Sequence, residues 1–200
     1  MTEAVAGYRV LSRTERFAGP VFSVVTDEVA MSDGRVADRD YIVHIGAVGV
    51  VAVDEADRVV LVRQYRHPLR RVLWELPAGL VDVHGEPMVA AAARELAEEA
   101  DLVAGRYDLL ADVNTSPGCS NELVRLFLAR DLSAVPDGGR YERTHEEAEL
   151  TAHRIPLDEA VDMVLSAQIT NAVCQVGVLS TARVRDNGWA GLRPLDSPLP

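Results

Sequence analysis

Three carboxylates occur close together in the sequence, as Glu95, Glu98 and Glu99. The segment around them is rich in Ala, Leu and Arg, which favour helices, so we predict a helix over Val89–Ala100. On such a helix the three side chains share an arc of about 100°. Carboxylates placed in this way are typical of a Mg²⁺ site, because the ion commonly binds one or two of them together with phosphate and water. The trio alone is more often a solvated acidic face, balanced here in part by Arg94.

The flanking residues extend this pattern and favour the metal site. The segment contains, in order, Gly79, Glu86, seven intervening residues, Arg94-Glu95, Leu96, Glu98-Glu99 and Leu102. It resembles the Nudix box, the signature of the Nudix hydrolases. Two departures concern the loop geometry: the spacer after Gly79 has six residues instead of five, and Asp101 replaces a Gly. That Gly normally supplies a left-handed helix end, which Asp adopts less readily.

The resemblance implies hydrolysis of a nucleoside-linked diphosphate with the help of Mg²⁺, or alternatively Mn²⁺. It implies that Glu95 and Glu99 are metal ligands, that Glu98 assists at a further ion, and that the carbonyl of Ala78 is an additional ligand. Structural roles are implied for three other box residues, Gly79, Glu86 and Arg94, the last two as an ion pair that braces the loops around the helix.

Segments outside the box are similar to the ADP-ribose pyrophosphatase branch of that family. They are Gln64–His67, Trp74–Gly79, Ser116–Gly118 with Glu122, and His145–Glu149. In this branch a loop glutamate distant from the box is the general base, which needs only hydrogen-bond reach to a reacting water. The resemblance implies Glu147 for this role, then Glu146, then Glu149. Without it, the loop would be interpreted as a solvated acidic turn.

Several residues are candidates for contacts with the substrate. Arg66 is the best cation for the diphosphate, since a guanidinium binds phosphate through two parallel hydrogen bonds. Glu75 could accept hydrogen bonds from ribose or adenine, or form an ion pair with Arg66. Phe22 could stack on adenine, although an apolar strand residue is more often part of a core. Gly118, in the Ser-Pro-Gly turn, completes the set.

Composition excludes several classes of protein. The formal net charge is −11, with 31 acidic and 20 basic side chains, which disfavours nucleic acid as a partner. The two cysteines, Cys119 and Cys174, are too few for a disulfide framework or a zinc set. The longest apolar run, Val43–Val53, is too short to span a bilayer, and the N-terminus lacks the apolar stretch of a signal peptide. We therefore expect a cytoplasmic protein without a membrane partner.

The predicted strands and helices are mixed without strict βαβ alternation, which indicates an α+β or α/β fold with a mixed sheet. The resemblance implies the Nudix fold, an α+β fold of the α/β/α sandwich type in which a mixed sheet lies between helices. We predict a hairpin of Gly46–Val53 and Arg58–Arg66, and a turn at Pro77–Gly79. Further predicted strands are Trp74–Leu76, Tyr107–Val113, Leu123–Ala129 and Leu150–Ile155, and further helices are Leu157–Ser166 and Ala172–Arg183.

The predicted domains are a small β-strand domain at 1–45, a Nudix hydrolase domain at 46–185 and an irregular tail at 186–200. In the resembled branch, the N-terminal strands are exchanged between two subunits, which implies a homodimer. The leading hypothesis is hydrolysis of ADP-ribose to AMP and ribose 5-phosphate. The alternatives are hydrolysis of another nucleotide sugar such as GDP-mannose, and a sensor that binds ADP-ribose without cutting it. The presence of every box glutamate disfavours the sensor.

Overall fold

The computed structural model describes residues 6–136, 141 and 149–200. Contacts divide the chain into two compact units, one of Met1–Gly46 with Asn114–Leu123 and one of Ala47–Val113 with Val124–Pro200. The strands are β1 Arg9–Ala18, β2 Phe22–Ala30, β3 Val36–His44, β4 Ala47–Ala52, β5 Arg58–Arg66, β6 Arg71–Glu75, β7 Ala78–Leu80, β8 Leu102–Asn114, β9 Leu123–Ala134 and β10 Thr151–Pro156. The helices are α1 Met88–Ala100, α2 Leu157–Leu165 and α3 Ala172–Asp186.

The N-terminal unit is an antiparallel sheet in the order β1-β2-β3. Its central strand carries a buried carboxylate, Asp27, which accepts hydrogen bonds from Arg13 Nε at 2.7 Å and from Tyr41 Oη at 3.0 Å. These bonds, Arg13 first, hold the pKa of Asp27 below its ordinary value. The loop 114–123 joins this unit through the amide of Ile42, which donates to the Cys119 carbonyl at 2.9 Å.

The second unit contains two sheets with helices on both sides. One is mixed, in the order β7-β4-β9-β8, with β4 parallel to β9 and antiparallel to β7. The other is antiparallel, in the order β10-β5-β6. Consecutive β4 residues face opposite sides, because side chains alternate along a strand. Val50 packs in one cluster with Leu96 of α1, and Val51 packs in another with Val178 of α3. The predicted mixed sheet between helices is confirmed.

The predicted hairpin of Gly46–Val53 with Arg58–Arg66 is wrong. The two strands meet only at an isolated bridge, Val53 to Val59, and then enter different sheets. The physical reason is that β4 is apolar and almost entirely buried, so that it is a central strand with partners on both edges. Those partners, β7 and β9, come from distant parts of the chain.

Smaller differences concern element ends. Helix α1 begins at Met88, one residue before its predicted start, and Pro87 is its N-cap. In the segment predicted only as a turn, Pro77–Gly79, the last two residues already belong to β7. The residues after α3 form no further helix or strand, apart from an isolated bridge between Leu109 and Arg193. No helix in the described part of the chain is long and apolar enough to cross a membrane.

Candidate active site

Helix α1 buries two of the three predicted metal-binding carboxylates. Its apolar residues Ala92 and Leu96 pack into the same cluster as Val48 of β4, which draws the adjacent face of the helix toward the sheet. Glu95 and Glu99 are consequently only 9% and 5% exposed. The plainer interpretation of a solvated acidic face is therefore wrong for this pair. A buried carboxylate requires a cation or hydrogen-bond donors.

The backbone of β7 lies directly against these two carboxylates. The Ala78 amide donates to Glu99 Oε2 at 2.9 Å. A Cβ atom on Gly79 would lie only 2.1 Å from Glu95 Cδ, so a glycine at this position gives the carboxylate its space. Because β7 pairs with β4, the position of Gly79 is set by its register partner Val48.

Arg94 connects the carboxylates of the helix with the preceding loop. Its Nη1 lies 2.6 Å from Glu95 and 3.6 Å from Glu98, and its Nη2 lies 3.2 Å from Glu86. The hydrogen bond to Glu86, followed by the charge of Glu95, raises the pKa of the Arg94 guanidinium further above its ordinary value. A permanent positive charge thus lies between the box loop and the helix.

The donor set fits a hard divalent cation. Glu95 and Glu99 are one helical turn apart, and Mg²⁺ commonly binds one or two carboxylates and completes its shell with water and phosphate. The space that Gly79 leaves by lacking a Cβ is occupied by the Glu95 carboxylate. Within the described ranges, no three His, Cys, Asp or Glu side chains are grouped closely enough to hold a metal ion.

Asp101 ends the helix in the conformation expected of the glycine it replaces. Its backbone is left-handed, with φ 56° and ψ 35°, and its amide donates to the carbonyls of Leu96 and Ala97. Asp tolerates this region better than most residues with a side chain. The departure from the box pattern therefore leaves the end of the helix intact.

Arg66 and Glu75 form an ion pair on the β5–β6 hairpin. Arg66 Nε lies 3.1 Å from both carboxylate oxygens, and its Nη2 lies 2.6 Å from Oε2. Glu75 is buried, whereas the Arg66 side chain is partly exposed. Burial, together with the nearby charge of Glu75, raises the pKa of the Cys174 thiol of α3 to about 12. Of the two interpretations of Glu75, the structure contains the ion pair.

The remaining predicted site residues are placed as follows. Phe22 and Gly118 belong to the N-terminal unit, where the ring of Phe22 lies 6.0 Å from that of Phe17 and Gly118 has open space around it. Glu146 and Glu147 lie outside the described residues. Glu149 is described and is exposed.

Two further charged residues of the second unit, which were not predicted, form ion pairs. Asp82, in the box spacer, lies 3.8 Å from Arg94. Arg125 is buried in the middle of β9 and forms an ion pair with Asp112 of β8 at 2.7 Å. In the sequence, Arg125 could have been noticed as a single arginine that interrupts an apolar strand.

Comparison with known proteins agrees with this geometry. The family model described as the NUDIX domain matches residues 43–172. ADP-ribose pyrophosphatase from Mycobacterium tuberculosis is 43% identical over 190 residues, which cover 95% of this chain and 90% of that protein. ADP-ribose pyrophosphatase from Bacillus subtilis is 30% identical over 164 residues, covering 82% and 86%.

A solved structure shares the fold at lower identity. The crystal structure of an ADP compounds hydrolase matches with a TM-score of 0.77 and 20% identity, covering 94% of this chain and 99% of that one. The match extends over the N-terminal strands as well as the second unit, since so little of either chain lies outside it.

Proposed function

This chain belongs to the Nudix family of hydrolases, and on that premise we propose that it hydrolyses the diphosphate of ADP-ribose to AMP and ribose 5-phosphate. The observation that carries the reaction type is the pair of buried carboxylates, Glu95 and Glu99, held against the backbone of β7. The substrate is supported by the relative from M. tuberculosis, which is similar along nearly the whole chain.

We propose that Glu95 and Glu99 hold Mg²⁺, or alternatively Mn²⁺, with Glu98 at a further ion and the Ala78 carbonyl as an additional ligand. When bound, the ion neutralises the phosphates and lowers the pKa of coordinated water. The protein's own contribution is position: α1 presents the carboxylates, β7 limits their movement, and Arg94 with Glu86 braces the loop. Phosphoryl transfer needs chiefly such positioning and charge neutralisation.

We propose Glu147 as the general base, with Glu146 second and Glu149 third. Water adds to one phosphorus, the bridging P–O bond breaks, and the proton of the water passes to the base. The support is the resemblance of His145–Glu149 to the branch, and the chemistry needs only a carboxylate within hydrogen-bond reach of that water.

Arg66 is the proposed contact for the diphosphate. Its ion pair with the buried Glu75 orients the guanidinium, which lowers the entropy lost when a phosphate binds. Glu75 then acts mainly through Arg66. Phe22, as a ring that stacks on adenine, and Gly118, as a backbone contact, complete the proposed substrate set.

We also propose a cytoplasmic homodimer in which the N-terminal strands are exchanged. The support is the exposure of large apolar side chains on the N-terminal unit, such as Phe17, Val36 and Ile45. A small sheet with exposed apolar residues is marginally stable alone. Light scattering of the purified protein should give twice the chain mass, and a monomer at micromolar concentration would contradict the exchange.

The test of function is incubation with ADP-ribose and Mg²⁺, followed by chromatography of the products. We expect AMP and ribose 5-phosphate in equal amounts from the wild type, and a loss of about 100-fold or more in kcat for Glu99→Gln. The Gln oxygen can still accept from the Ala78 amide, so circular dichroism should show an intact fold. Absence of AMP above a control without enzyme would reject the proposal.

The same assay separates the candidate bases and the alternative functions. Glu147→Gln should lower kcat strongly with little change in substrate affinity, and a larger fall for Glu146→Gln would reassign the base. A higher kcat/KM for GDP-mannose than for ADP-ribose would favour the other nucleotide sugar. Tight binding of ADP-ribose by calorimetry without products would favour a sensor.

A further inference from the structure

The C-terminal segment wraps around the edge of the mixed sheet. Trp189 and Leu192 pack on the cluster that contains α2 and α3. The Arg193 amide then donates to the Leu109 carbonyl of β8, the edge strand, at 3.2 Å. Beyond it, the carbonyls of Ser197 and Pro198 accept hydrogen bonds from Arg125 at 2.9 and 3.0 Å. We call residues 189–198 the C-terminal strap.

Arg125 lies on the face of the sheet that α1 covers. Phe127, two residues further along β9, packs in the cluster of Leu96 and Val48, and residues two apart on a strand face the same side. The strap therefore begins on the α3 side of the sheet and ends on the α1 side, where the predicted metal-binding carboxylates are.

A buried ion-pair network joins the strap to β8 and β9. Asp112 accepts from Arg125 Nε at 2.7 Å and Nη2 at 3.1 Å, and Arg193 Nη2 lies 2.8 Å from the same carboxylate. The Arg125 and Asp112 side chains are 6% and 5% exposed. With the two strap carbonyls, Arg125 makes four hydrogen bonds in a single arrangement. Such a network holds its neighbours to one geometry, because a buried charge left without partners is costly.

The register of the sheet connects this network to the box. Val48 of β4 is the partner of Arg125 on β9 and also of Gly79 on β7. Arg125, Val48 and Gly79 therefore form one row across three neighbouring strands. Since strands are spaced about 4.8 Å apart, the backbones of Arg125 and Gly79 are separated by about 10 Å.

At Gly79, the member of this row that belongs to the Nudix box, the strand backbone can move very little. The position that a Gly79 Cβ would occupy is 2.1 Å from Glu95 Cδ, so the strand backbone and the carboxylate are already close. A shift of Gly79 toward α1 by a fraction of an ångström would therefore press the strand backbone against the Glu95 carboxylate and displace it.

We propose that Arg125 is a positioning residue for the metal-binding carboxylates, and that the C-terminal strap, through Asp112 and the row Arg125–Val48–Gly79, sets the distance between β7 and Glu95. This inference rests on the proposed function, in which Glu95 and Glu99 bind a divalent cation. Arg125 acts through the sheet and does not touch the reacting atoms.

The test measures metal binding without turnover. Wild type, Arg125→Met and Arg193→Met are titrated with Mn²⁺ alone, and the free ion is measured by electron paramagnetic resonance at a temperature where circular dichroism shows each protein folded. We expect Arg125→Met to bind Mn²⁺ roughly 3- to 30-fold more weakly, the usual range for mutations that act through a coupled network. Arg193→Met leaves Arg125 in place, so we expect the Mn²⁺ affinity of that variant to fall by about threefold.

Arg106→Met is the matched control. It removes an Arg–Asp pair from β8, the strand that also carries Asp112, and Arg106 Nε lies 2.9 Å from Asp108 there, but at an exposed position. Its Mn²⁺ affinity should equal that of the wild type.

The outcomes separate this inference from the proposed function. Wild-type affinity in the folded Arg125→Met protein, with only a lower stability toward urea, would show a purely structural strap and overturn the inference. If Arg125→Met does not fold, unchanged affinity in Arg193→Met overturns it equally. If the wild type itself binds no Mn²⁺, the proposed metal site fails, and the inference fails with it.

Discussion

Single residues determine how closely the two central carboxylates approach the sheet. Glu95 and Glu99 are buried, which would be unfavourable for carboxylates that lacked donors or a cation. The Ala78 amide and Arg94 Nη1 supply donors at 2.9 and 2.6 Å. Burial and these bonds leave the carboxylates few orientations. In the proposed site, a metal ion would therefore meet carboxylates that are already in place, which is the condition for tight positioning of a substrate diphosphate.

Gly79→Ala tests this arrangement at the same scale. The added methyl group overlaps the Glu95 carboxylate and must displace it by about 1 Å or more, and a misplacement of that size commonly costs about 100-fold in rate. We expect kcat for ADP-ribose to fall by about this factor while circular dichroism stays unchanged.

Gly105→Ala is the matched control for that substitution. Its Cβ would lie 3.2 Å from Asp131 Cβ, so only a small adjustment is needed. Activity should stay within about twofold of the wild type, as for most surface substitutions. A fully active Gly79→Ala protein would show that the close contact between β7 and Glu95 has no part in the reaction.

At the scale of the elements, the backbone conformation at the end of α1 determines where the chain goes after the helix. Asp101 is left-handed, and the carbonyl of the same residue accepts from the Val135 amide at 3.0 Å, which fixes the direction of the chain after the helix. Glu99 lies only two residues before this point, so the end of the helix also holds a predicted metal ligand in place.

We therefore compare Asp101→Val with Asp101→Gly. Both remove the Asp side chain, but only Val places a β-branched carbon in the left-handed region, at a cost of about 1–2 kcal/mol. Urea unfolding should show Asp101→Val less stable than Asp101→Gly by that amount. Equal stabilities would mean that residue 101 can leave the left-handed conformation without loss.

For the whole molecule, buried and partly buried aspartates couple stability to pH. A hydrogen bond from Arg13 holds the pKa of Asp27 below the ordinary value. Burial raises the pKa of Asp108, but hydrogen bonds from Arg106 and Arg130 outweigh it and leave the pKa below the ordinary value. Burial likewise raises the pKa of Asp54 and Asp112, but Arg58 lowers that of Asp54 by more, and Arg125 with Arg193 lowers that of Asp112 by more. A carboxyl group whose pKa is lower in the folded state stabilises the protein above its unfolded pKa, and this contribution disappears as pH falls through the folded pKa.

The free energy of unfolding should therefore be nearly constant from pH 7 to about pH 5 and should fall as the pH drops below the ordinary aspartate value of 3.8. Asp112→Asn should be less stable at pH 7, because Arg125 loses a charged partner, and should show a shallower loss below pH 4. Urea titrations from pH 3 to pH 7 measure both effects. An identical acid slope for the two proteins would show that Asp112 takes up no proton on unfolding.

Local patterns in the sequence were sufficient for the reaction class and for most elements. The spacing of Glu86, Arg94, Glu95, Glu98 and Glu99 indicated the box, and helix propensity placed α1 within one residue of its start. Both features depend on residues that are close together in the sequence. The local geometry of such residues is nearly independent of the rest of the fold, so it can be predicted without the tertiary structure. The Glu147 and Glu146 assignments stay predictions, since they lie outside the described residues.

Three features depended on the tertiary structure. The strands β4 and β5 separate into different sheets because the partners of β4 come from residues 78–80 and 123–134, a pairing that no local pattern contains. Glu95 and Glu99 are buried because β7 covers them, although helix periodicity alone favoured a solvated face. The tail predicted as irregular has no regular structure, yet its carbonyls satisfy a buried arginine. Contacts between distant segments decide burial, and burial decides what a charged side chain can do.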